Sequence, residues 1–305
     1  MLKRTITGIL MAGILFLVVW LTGYSHFVFD GVVLVIGVIA TYEMYTAVNG
    51  KTKKLVNSEQ ETGSINSKNE TAIYNISIVS LIVAIITIYP LVYFFKYMGL
   101  FYCFAISTIV AFIIFIFDSN KTFVDFAVNC FVIIYPLILL GIIFILNINY
   151  GMIPVLLAVG ISTVSDAMAY FIGSMFGKRK IFPKISPKKT YAGFFGGILG
   201  GAIGGIIVYL IFELANFPTF TIFKFTELFN ENIALTIIIY VIIGAVMAVF
   251  SEIGDLAASR VKRQVGIKDY GKLLGSHGGI MDRIDSILFS VFAMGIIMEI
   301  IKLCA

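Results

Sequence analysis

Residues 233–254 read IALTIIIYVIIGAVMAVFSEIG, a predominantly apolar run of 22 residues that is long enough to cross a bilayer as an α-helix. Shortly after it, residues 259–285 read SRVKRQVGIKDYGKLLGSHGGIMDRID and carry six basic residues, three acidic residues and one of the two histidines. Ionisable groups are costly beside hydrocarbon, so a cluster of them next to a membrane helix predicts a functional site.

The rest of the chain shares the apolar character of residues 233–254. Of its 305 residues, 60% are hydrophobic and 13% are charged, whereas roughly 25% are charged in soluble domains. The mean hydropathy is +1.02, and strand-like alternation is absent. We therefore predict an all-α polytopic integral membrane protein with about nine transmembrane helices. The predicted spans are residues 5–23, 27–47, 73–95, 98–117, 123–147, 151–177, 192–213, 233–254 and 286–303.

The basic residues predict the orientation of these helices. If the N-terminus lies in the cytoplasm, 19 of the 22 Lys and Arg residues fall on the cytoplasmic side. The outer side then holds Lys96, Lys224 and Lys302. This asymmetry follows the positive-inside rule and predicts an N-in, C-out topology.

The chain changes character near residue 150. The first five spans are mostly free of charge, and residues 49–71 are rich in Lys, Glu, Ser and Asn, which predicts a flexible cytoplasmic loop. From Ser162 onward, polar residues and glycines enter the spans. We therefore predict a membrane scaffold over residues 1–150 and a region that carries the functional site over residues 151–305.

Two polar features precede the charged segment. Asp166 and Tyr170 lie one helical turn apart in the sixth span and are predicted to face inward, since an intramembrane carboxylate usually lines a site. The loop after this span, residues 178–190, reads KRKIFPKISPKKT and carries six cations. These cations could bind phosphates, or they could only set the orientation and attract anionic lipid.

Seven glycines in the seventh span form a ladder with four-residue spacing. Such spacing creates two adjacent grooves where another helix can approach closely. The ladder is compatible with homodimerisation and equally with packing inside one chain. Its members are Gly193, Gly197, Gly201 and Gly205, with Gly196, Gly200 and Gly204 alongside.

Four carboxylates occur in two pairs around the charged segment, each pair one helical turn apart. They are Glu252 with Asp255, and Asp282 with Asp285. Carboxylates gathered at one membrane depth repel one another unless cations lie between them, and a hard divalent cation such as Mg²⁺ suits oxygen ligands. The cations predicted to neutralise phosphates are Lys262, Arg263, Lys268 and Arg283.

The charged segment resembles the signature of the phosphatidate cytidylyltransferase (CDP-diacylglycerol synthase) family. Identity and spacing agree over 27 residues, at Ser259, Lys262, Arg263, Lys268, Asp269, His277, Gly278, Gly279, Asp282, Arg283 and Asp285. Upstream, Asp166, Tyr170 and the Ser-Pro-Lys-Lys-Thr run at residues 186–190 also resemble family motifs. The resemblance implies that CTP and phosphatidic acid react to give CDP-diacylglycerol and pyrophosphate for phospholipid biosynthesis, with residues 151–305 as the catalytic region.

The same resemblance implies a cofactor and roles for individual residues. Mg²⁺, alone or with a second metal ion, is expected on Asp255, Asp282 and Asp166. The expected catalytic residues are Asp255, Asp282, Asp285, Lys262, Arg263 and His277. The expected substrate-binding residues are Ser186, Lys188, Lys189, Thr190, Ser259, Lys268, Arg283 and Tyr170. The active site is expected to face the cytoplasm from the inner (plasma) membrane of a bacterial cell, with the lipid bilayer and no nucleic acid as partner.

Two positions depart from the family pattern. Ala192 and Ala258 stand where the family usually has glutamate, which removes two negative charges from the neighbourhood of the site. Glu252 stands where glutamine is usual, and we hypothesise that it partly compensates from one turn before Asp255.

Two alternatives stay open. A CTP-dependent kinase of an isoprenoid alcohol would share the need for nucleotide and metal but would attack the γ-phosphorus and release CDP. A catalytically weak paralogue would bind anionic lipid or nucleotide without turnover, and the two missing glutamates are the feature that keeps this second alternative open.

Overall fold

The computed structural model describes residues 25–62, 75–183, 185–215, 222–228, 231–275 and 278–304. Regular structure in these residues consists of α-helices and two π-helical stretches, Ile133–Ile138 and Tyr209–Leu214. The α-helices are α1 (His26–Thr62), α2 (Ile78–Phe95), α3 (Tyr97–Phe117), α4 (Phe123–Val132), α5 (Leu139–Tyr150), α6 (Met152–Phe176), α7 (Tyr191–Val208), α8 (Phe225–Leu228), α9 (Ile233–Val265) and α10 (Met281–Cys304).

Eight helical segments in the described part of the chain are long and apolar enough to cross a membrane. They coincide with the second to ninth predicted spans; the sixth, for example, was expected at residues 151–177 and forms Met152–Phe176. The first predicted span, residues 5–23, lies outside the described residues. The prediction of an all-α polytopic membrane protein is therefore confirmed.

The predicted flexible loop at residues 49–71 is wrong over its first part. Helix α1 continues through this segment and ends at Thr62, while residues 63–71 lie outside the described residues. The reason is that residues 51–62, KTKKLVNSEQET, are polar but contain no Gly or Pro, and Lys, Glu, Gln and Leu are good helix formers. Low hydrophobicity argues against burial and does not argue against a helix.

The chain divides into two compact units. The first comprises Met1–Val33, Ile142–Arg260 and Ile284–Ala305, and the second comprises Leu34–Gly141 and Val261–Arg283. This division follows from the packing of the chain and does not show which residues carry the function. The division at residue 150 into scaffold and catalytic region therefore stays a prediction.

The glycine ladder of α7 packs inside the first unit against α6 on one face and α9 on the other. A Cβ atom at Gly200 would lie 2.6 Å from the Cβ of Met168 in α6, and one at Gly201 would overlap the backbone carbonyl of Gly244 in α9. Both grooves are thus filled by helices of the same chain, as close approach of small residues allows. Homodimerisation stays a prediction, and it is not needed to explain the glycine ladder.

Gly201→Ala is expected to destabilise the protein, because the added methyl group would force α7 and α9 apart. Overpacking of this kind costs about 1–3 kcal/mol, and the measurement is the apparent melting temperature in detergent. Gly31→Ala is the matched control, since a Cβ at Gly31 meets nothing within 4 Å. Equal melting temperatures for the two variants would show that the contact between Gly201 and Gly244 does not limit packing.

Candidate active site

A cavity of about 280 Å³ lies in the first unit, among helices α6, α7 and α9 and the loop that joins α6 to α7. We call it the Lys189 cavity. Its lining includes Asp166, Tyr170, Ser186, Lys188, Lys189, Thr190 and Asp255 from the predicted site, together with Ala169, Ile181, Gly193, Phe194 and Glu252. The structure therefore brings together seven residues that the sequence placed in one site.

The loop between α6 and α7 folds back on itself and brings Lys189 to the cavity. The Ile181 N–H donates a hydrogen bond to the Lys189 carbonyl (3.2 Å). Thr190 then begins α7, because its Oγ1 accepts a hydrogen bond from the Gly193 N–H (3.1 Å). Lys189 therefore directly precedes Thr190, the N-cap residue of α7.

Lys189 is the centre of an ion-pair cluster. Its Nζ lies 2.9 Å from Oδ2 of Asp255, forms an ion pair with the Glu252 carboxylate, and donates to the Glu252 carbonyl (3.2 Å). The side chains of Lys189, Glu252 and Asp255 are 17%, 3% and 33% exposed. Burial by itself lowers the pKa of the Lys189 ammonium, but the charges of Asp255 and Glu252 outweigh this effect, so the pKa lies above its ordinary value.

The glycine ladder makes room for this cluster. Gly197 of α7 faces the buried carboxylate, and a Cβ there would lie 2.8 Å from Oε1 of Glu252. A larger residue at Gly197 would push Glu252 away from Lys189. The ladder therefore positions the site as well as packing the helices.

Asp166 completes the charged lining of the cavity. Its Oδ2 accepts a hydrogen bond from Oγ of Ser286 (3.0 Å) in α10. It also interacts electrostatically with Asp255, Glu252 and Lys189. Three carboxylates and two lysines, Lys188 and Lys189, thus line one cavity.

Two other predicted residues of the first unit have different surroundings. Asp285 is buried, and its Oδ1 accepts a hydrogen bond from the Ser286 N–H (2.9 Å). Ser259 is half-buried on α9, one turn after Asp255. Neither is among the residues that line the Lys189 cavity in the described part of the chain.

Asp282 and Lys262 form a second cluster, in the second unit. Oδ1 of Asp282 lies 3.0 Å from Nζ of Lys262, and the two side chains are 4% and 12% exposed. Oδ2 of Asp282 accepts hydrogen bonds from the backbone N–H groups of Tyr270 (2.8 Å) and Gly279 (3.0 Å). The Lys262 ammonium also lies over the Tyr270 ring, 5.3 Å from its centroid. We call residues 266–275 and 278–280, which this cluster holds, the glycine-rich loop.

Of the remaining predicted residues, Lys268 lies in the glycine-rich loop, and Arg263 and Arg283 flank it in the sequence. Arg263, Lys268 and Arg283 are exposed in the second unit, which leaves their predicted phosphate-binding roles untested. His277 lies outside the described residues.

Two carboxylates emerge from the structure that the sequence did not place among the site residues. The sequence groups Glu252 with three other carboxylates that suit a divalent cation and predicts that it compensates for missing charge, but it does not predict the direct ion pair with Lys189. Glu43 is buried in α1 and accepts a hydrogen bond from the Met281 N–H (2.9 Å). The available signal was the same for both, an acidic residue at the end of an apolar span.

The donor set of the Lys189 cavity fits a hard divalent cation. In the described part of the chain, no group of three or more His, Cys, Asp or Glu side chains is arranged to hold a metal ion by itself. Mg²⁺ typically takes only one or two carboxylates from the protein and completes its coordination with phosphates and water. Asp166 and Asp255 line the cavity and meet that need. Asp282, the third predicted ligand, is not among the lining residues, and both of its oxygens are engaged, one by Lys262 and the other by two backbone N–H groups.

Comparison with known proteins agrees with the family resemblance. Residues 2–301 match the family described as the cytidylyltransferase family. The chain is 32% identical over 141 residues to the phosphatidate cytidylyltransferase of Bacillus subtilis (strain 168), covering 46% of this chain and 45% of that protein. It is 33% identical over 150 residues to the phosphatidate cytidylyltransferase of Staphylococcus aureus (strain COL), covering 48% of this chain and 50% of that protein. In these alignments the chain spans about half the length of the curated relatives it matches.

Proposed function

Because the chain belongs to the cytidylyltransferase family, we propose that it transfers the cytidylyl group of CTP to phosphatidic acid and forms CDP-diacylglycerol and pyrophosphate. The observation that carries this proposal is the Lys189 cavity. Lysines and carboxylates meet there within a set of helices that are long and apolar enough to cross a membrane. Triphosphate binding needs the cations, and a metal bound to that triphosphate needs the carboxylates.

The proposed reaction is an in-line displacement at phosphorus. A phosphate oxygen of phosphatidic acid forms a bond to the α-phosphorus of CTP, and the bond from that phosphorus to the oxygen that bridges the α- and β-phosphates breaks. Pyrophosphate leaves with the electron pair and gains negative charge. Positioning and charge neutralisation provide most of the catalysis in such reactions.

Lys188 and Lys189 are proposed to bind the phosphates. Lys189 is already ordered by Asp255 and Glu252 before substrate arrives, so little side-chain entropy is lost when it contacts a phosphate oxygen. Its raised pKa keeps the ammonium protonated through the neutral range. Lys188 is exposed at the rim of the same cavity and supplies a second positive charge.

Asp166 and Asp255 are proposed to hold Mg²⁺ together with the triphosphate. When bound, the ion would neutralise phosphate charge and polarise the reacting phosphoryl group. Each carboxylate is oriented by a neighbour in the chain, Asp166 by the Ser286 hydroxyl (3.0 Å) and Asp255 by the Lys189 ammonium (2.9 Å). These contacts would fix the carboxylates before the nucleotide enters.

The lipid substrate is proposed to enter on the apolar side of the cavity. Ala169, Ile181 and Phe194 line the cavity beside the lysines, and Tyr170 is exposed on α6. Side chains of this kind suit a glycerol backbone and the start of acyl chains, while the lysines suit the phosphate. The protein is proposed to act in the inner (plasma) membrane with this cavity facing the cytoplasm, where CTP is available.

The proposed function is tested with the purified full chain in detergent. Phosphatidic acid, or a polyprenol in a parallel reaction, is supplied with Mg²⁺ and CTP labelled at the α-phosphate. In the reaction with phosphatidic acid, labelled CDP-diacylglycerol is measured together with unlabelled pyrophosphate, which carries the β- and γ-phosphates. Equal amounts of the two products are expected. Release of CDP with a phosphorylated polyprenol as product would identify the kinase alternative, and bound CTP without product would identify the weak paralogue.

Glu252→Gln is expected to lower the catalytic efficiency moderately, by about tenfold, because Lys189 loses one charged hydrogen-bond partner but keeps Asp255. The amide preserves the shape beside Gly197, so the packing of α7 should survive. The measurement is kcat/KM for CTP, with the exposed Glu227→Gln as the matched control. Wild-type efficiency and metal dependence in Glu252→Gln would refute the hypothesis that Glu252 compensates for the missing glutamates.

A further inference from the structure

Glu43 is a buried carboxylate that the proposed reaction does not use. It lies on α1 in the second unit and is 6% exposed. Its Oε2 accepts a hydrogen bond from the backbone N–H of Met281 (2.9 Å). Met281 is the first residue of α10, whose N–H has no partner within the helix. A carboxylate from a distant part of the chain therefore takes the place of a local helix cap, where negative charge also suits the helix dipole.

Two glycines of the glycine-rich loop close around this carboxylate. A Cβ at Gly271 or at Gly279 would overlap the carboxylate oxygens of Glu43. Neither residue has a positive φ, so the absence of a side chain is explained here by close packing and not by backbone conformation. The loop backbone thus packs against the Glu43 carboxylate at two positions, Gly271 and Gly279.

The same loop carries the Asp282 cluster. Asp282 follows Met281 directly, and its carboxylate binds the Gly279 and Tyr270 N–H groups and the Lys262 ammonium. Glu43 and Asp282 therefore hold one short backbone segment through N–H groups two residues apart, those of Met281 and Gly279. If Glu43 is removed, the Met281 N–H loses its partner and the space between the two glycines opens.

We propose that Glu43 is a positioning residue that fixes the glycine-rich loop and, through it, the Asp282 and Lys262 side chains. It contacts backbone and not substrate. The ordering of the glycine-rich loop by Glu43 is a property of the folded chain. Only the effect of this ordering on turnover rests on the proposed function.

The proposal is tested by limited trypsin digestion of the detergent-purified full chain, followed by mass spectrometry. Lys268 and Lys272 are exposed in the glycine-rich loop and report its opening. Glu43→Ala is expected to raise the cleavage rate at these two sites by about tenfold, since a buried N–H is left unpaired. Glu43→Gln keeps an acceptor oxygen of the same shape and is expected to retain most of the protection.

Trypsin sites outside the loop and a matched variant distinguish opening of the glycine-rich loop from general unfolding. Cleavage after Arg179 and Lys180, which are exposed in the first unit, should not change in Glu43→Ala. Glu213→Ala removes another buried carboxylate that accepts backbone N–H groups, from Phe225 and Thr226, and should leave cleavage in the glycine-rich loop unchanged. Unaltered protection in Glu43→Ala, or equal loss in Glu43→Gln and Glu43→Ala, would overturn the proposal.

Gly279→Ala keeps the test decisive if Glu43→Ala does not fold, and wild-type protection in this single variant would overturn the proposal. Gly279→Ala should displace the carboxylate and raise cleavage in the same loop by itself. If Glu43→Ala does fold, the double variant should show less cleavage than the sum of the two single effects, because the new methyl group enters the vacated space. Strict additivity would overturn the proposal. If protection falls as expected while the wild type makes no CDP-diacylglycerol, the proposed function fails and the positioning role stands.

Discussion

Lys189→Met is expected to lower the rate of CDP-diacylglycerol formation by about 100- to 1,000-fold, the usual cost of removing one charge-stabilising donor from an active site. Methionine has a similar length but no charge. Asp255 and Glu252 would then face each other and the phosphates of CTP without the cation that now separates them. Initial rates measured over a range of CTP and Mg²⁺ concentrations check this result, and kcat should fall as well as apparent CTP affinity.

The control for this variant is Lys302→Met, which removes an exposed lysine from the end of α10 and should leave the rate unchanged. A Lys189→Met protein that keeps the wild-type rate would remove Lys189 from the active site. The pH dependence adds a second criterion. Because the pKa of Lys189 is raised, its charge persists at neutral and mildly alkaline pH and is lost only above its elevated pKa. A decline of activity near neutral pH must therefore come from another group.

The positions of the membrane helices could be predicted because each helix must satisfy its own backbone hydrogen bonds and be apolar over the width of a bilayer. Helix ends were less predictable. Helix α9 was expected to end at residue 254 but continues to Val265, since its last turns are polar without containing Gly or Pro. The π-helical stretch Ile133–Ile138 was also not foreseen, although Pro136 inside it gives a reason, because proline removes a regular hydrogen bond.

Seven of the twelve residues that line the Lys189 cavity could be predicted from the sequence, but the ion pairs among them could not. Charge and motif spacing identified Lys189 and Asp255 as site residues, yet neither feature states which cation meets which carboxylate. Lys189 and Glu252 are 63 positions apart, and their contact depends on how α7 packs against α9 through Gly197. The contact of Glu43 was harder still to predict, because its partner is a backbone N–H group 238 positions away in the sequence.

Asp282→Asn is expected to abolish measurable turnover and to loosen the glycine-rich loop. Removing one partner of a buried ion pair typically costs about 3–5 kcal/mol, which corresponds to at least about 100-fold in the population of the ordered state. Asparagine keeps one acceptor oxygen, but its amide group cannot replace the oxygen that now serves Lys262 or the two N–H groups of Tyr270 and Gly279. CDP-diacylglycerol formation and trypsin cleavage at Lys268 and Lys272 are the two measurements.

The matched control is Glu227→Gln, which neutralises an exposed carboxylate outside the loop and should affect neither measurement. Lys262→Met in the Asp282→Asn background should add little further damage, because the buried pair is already broken. The two measurements also separate two roles of Asp282. Loss of turnover together with loss of protection indicates that Asp282 acts by ordering the loop. Loss of turnover with full protection would instead indicate that its carboxylate binds the metal or substrate directly.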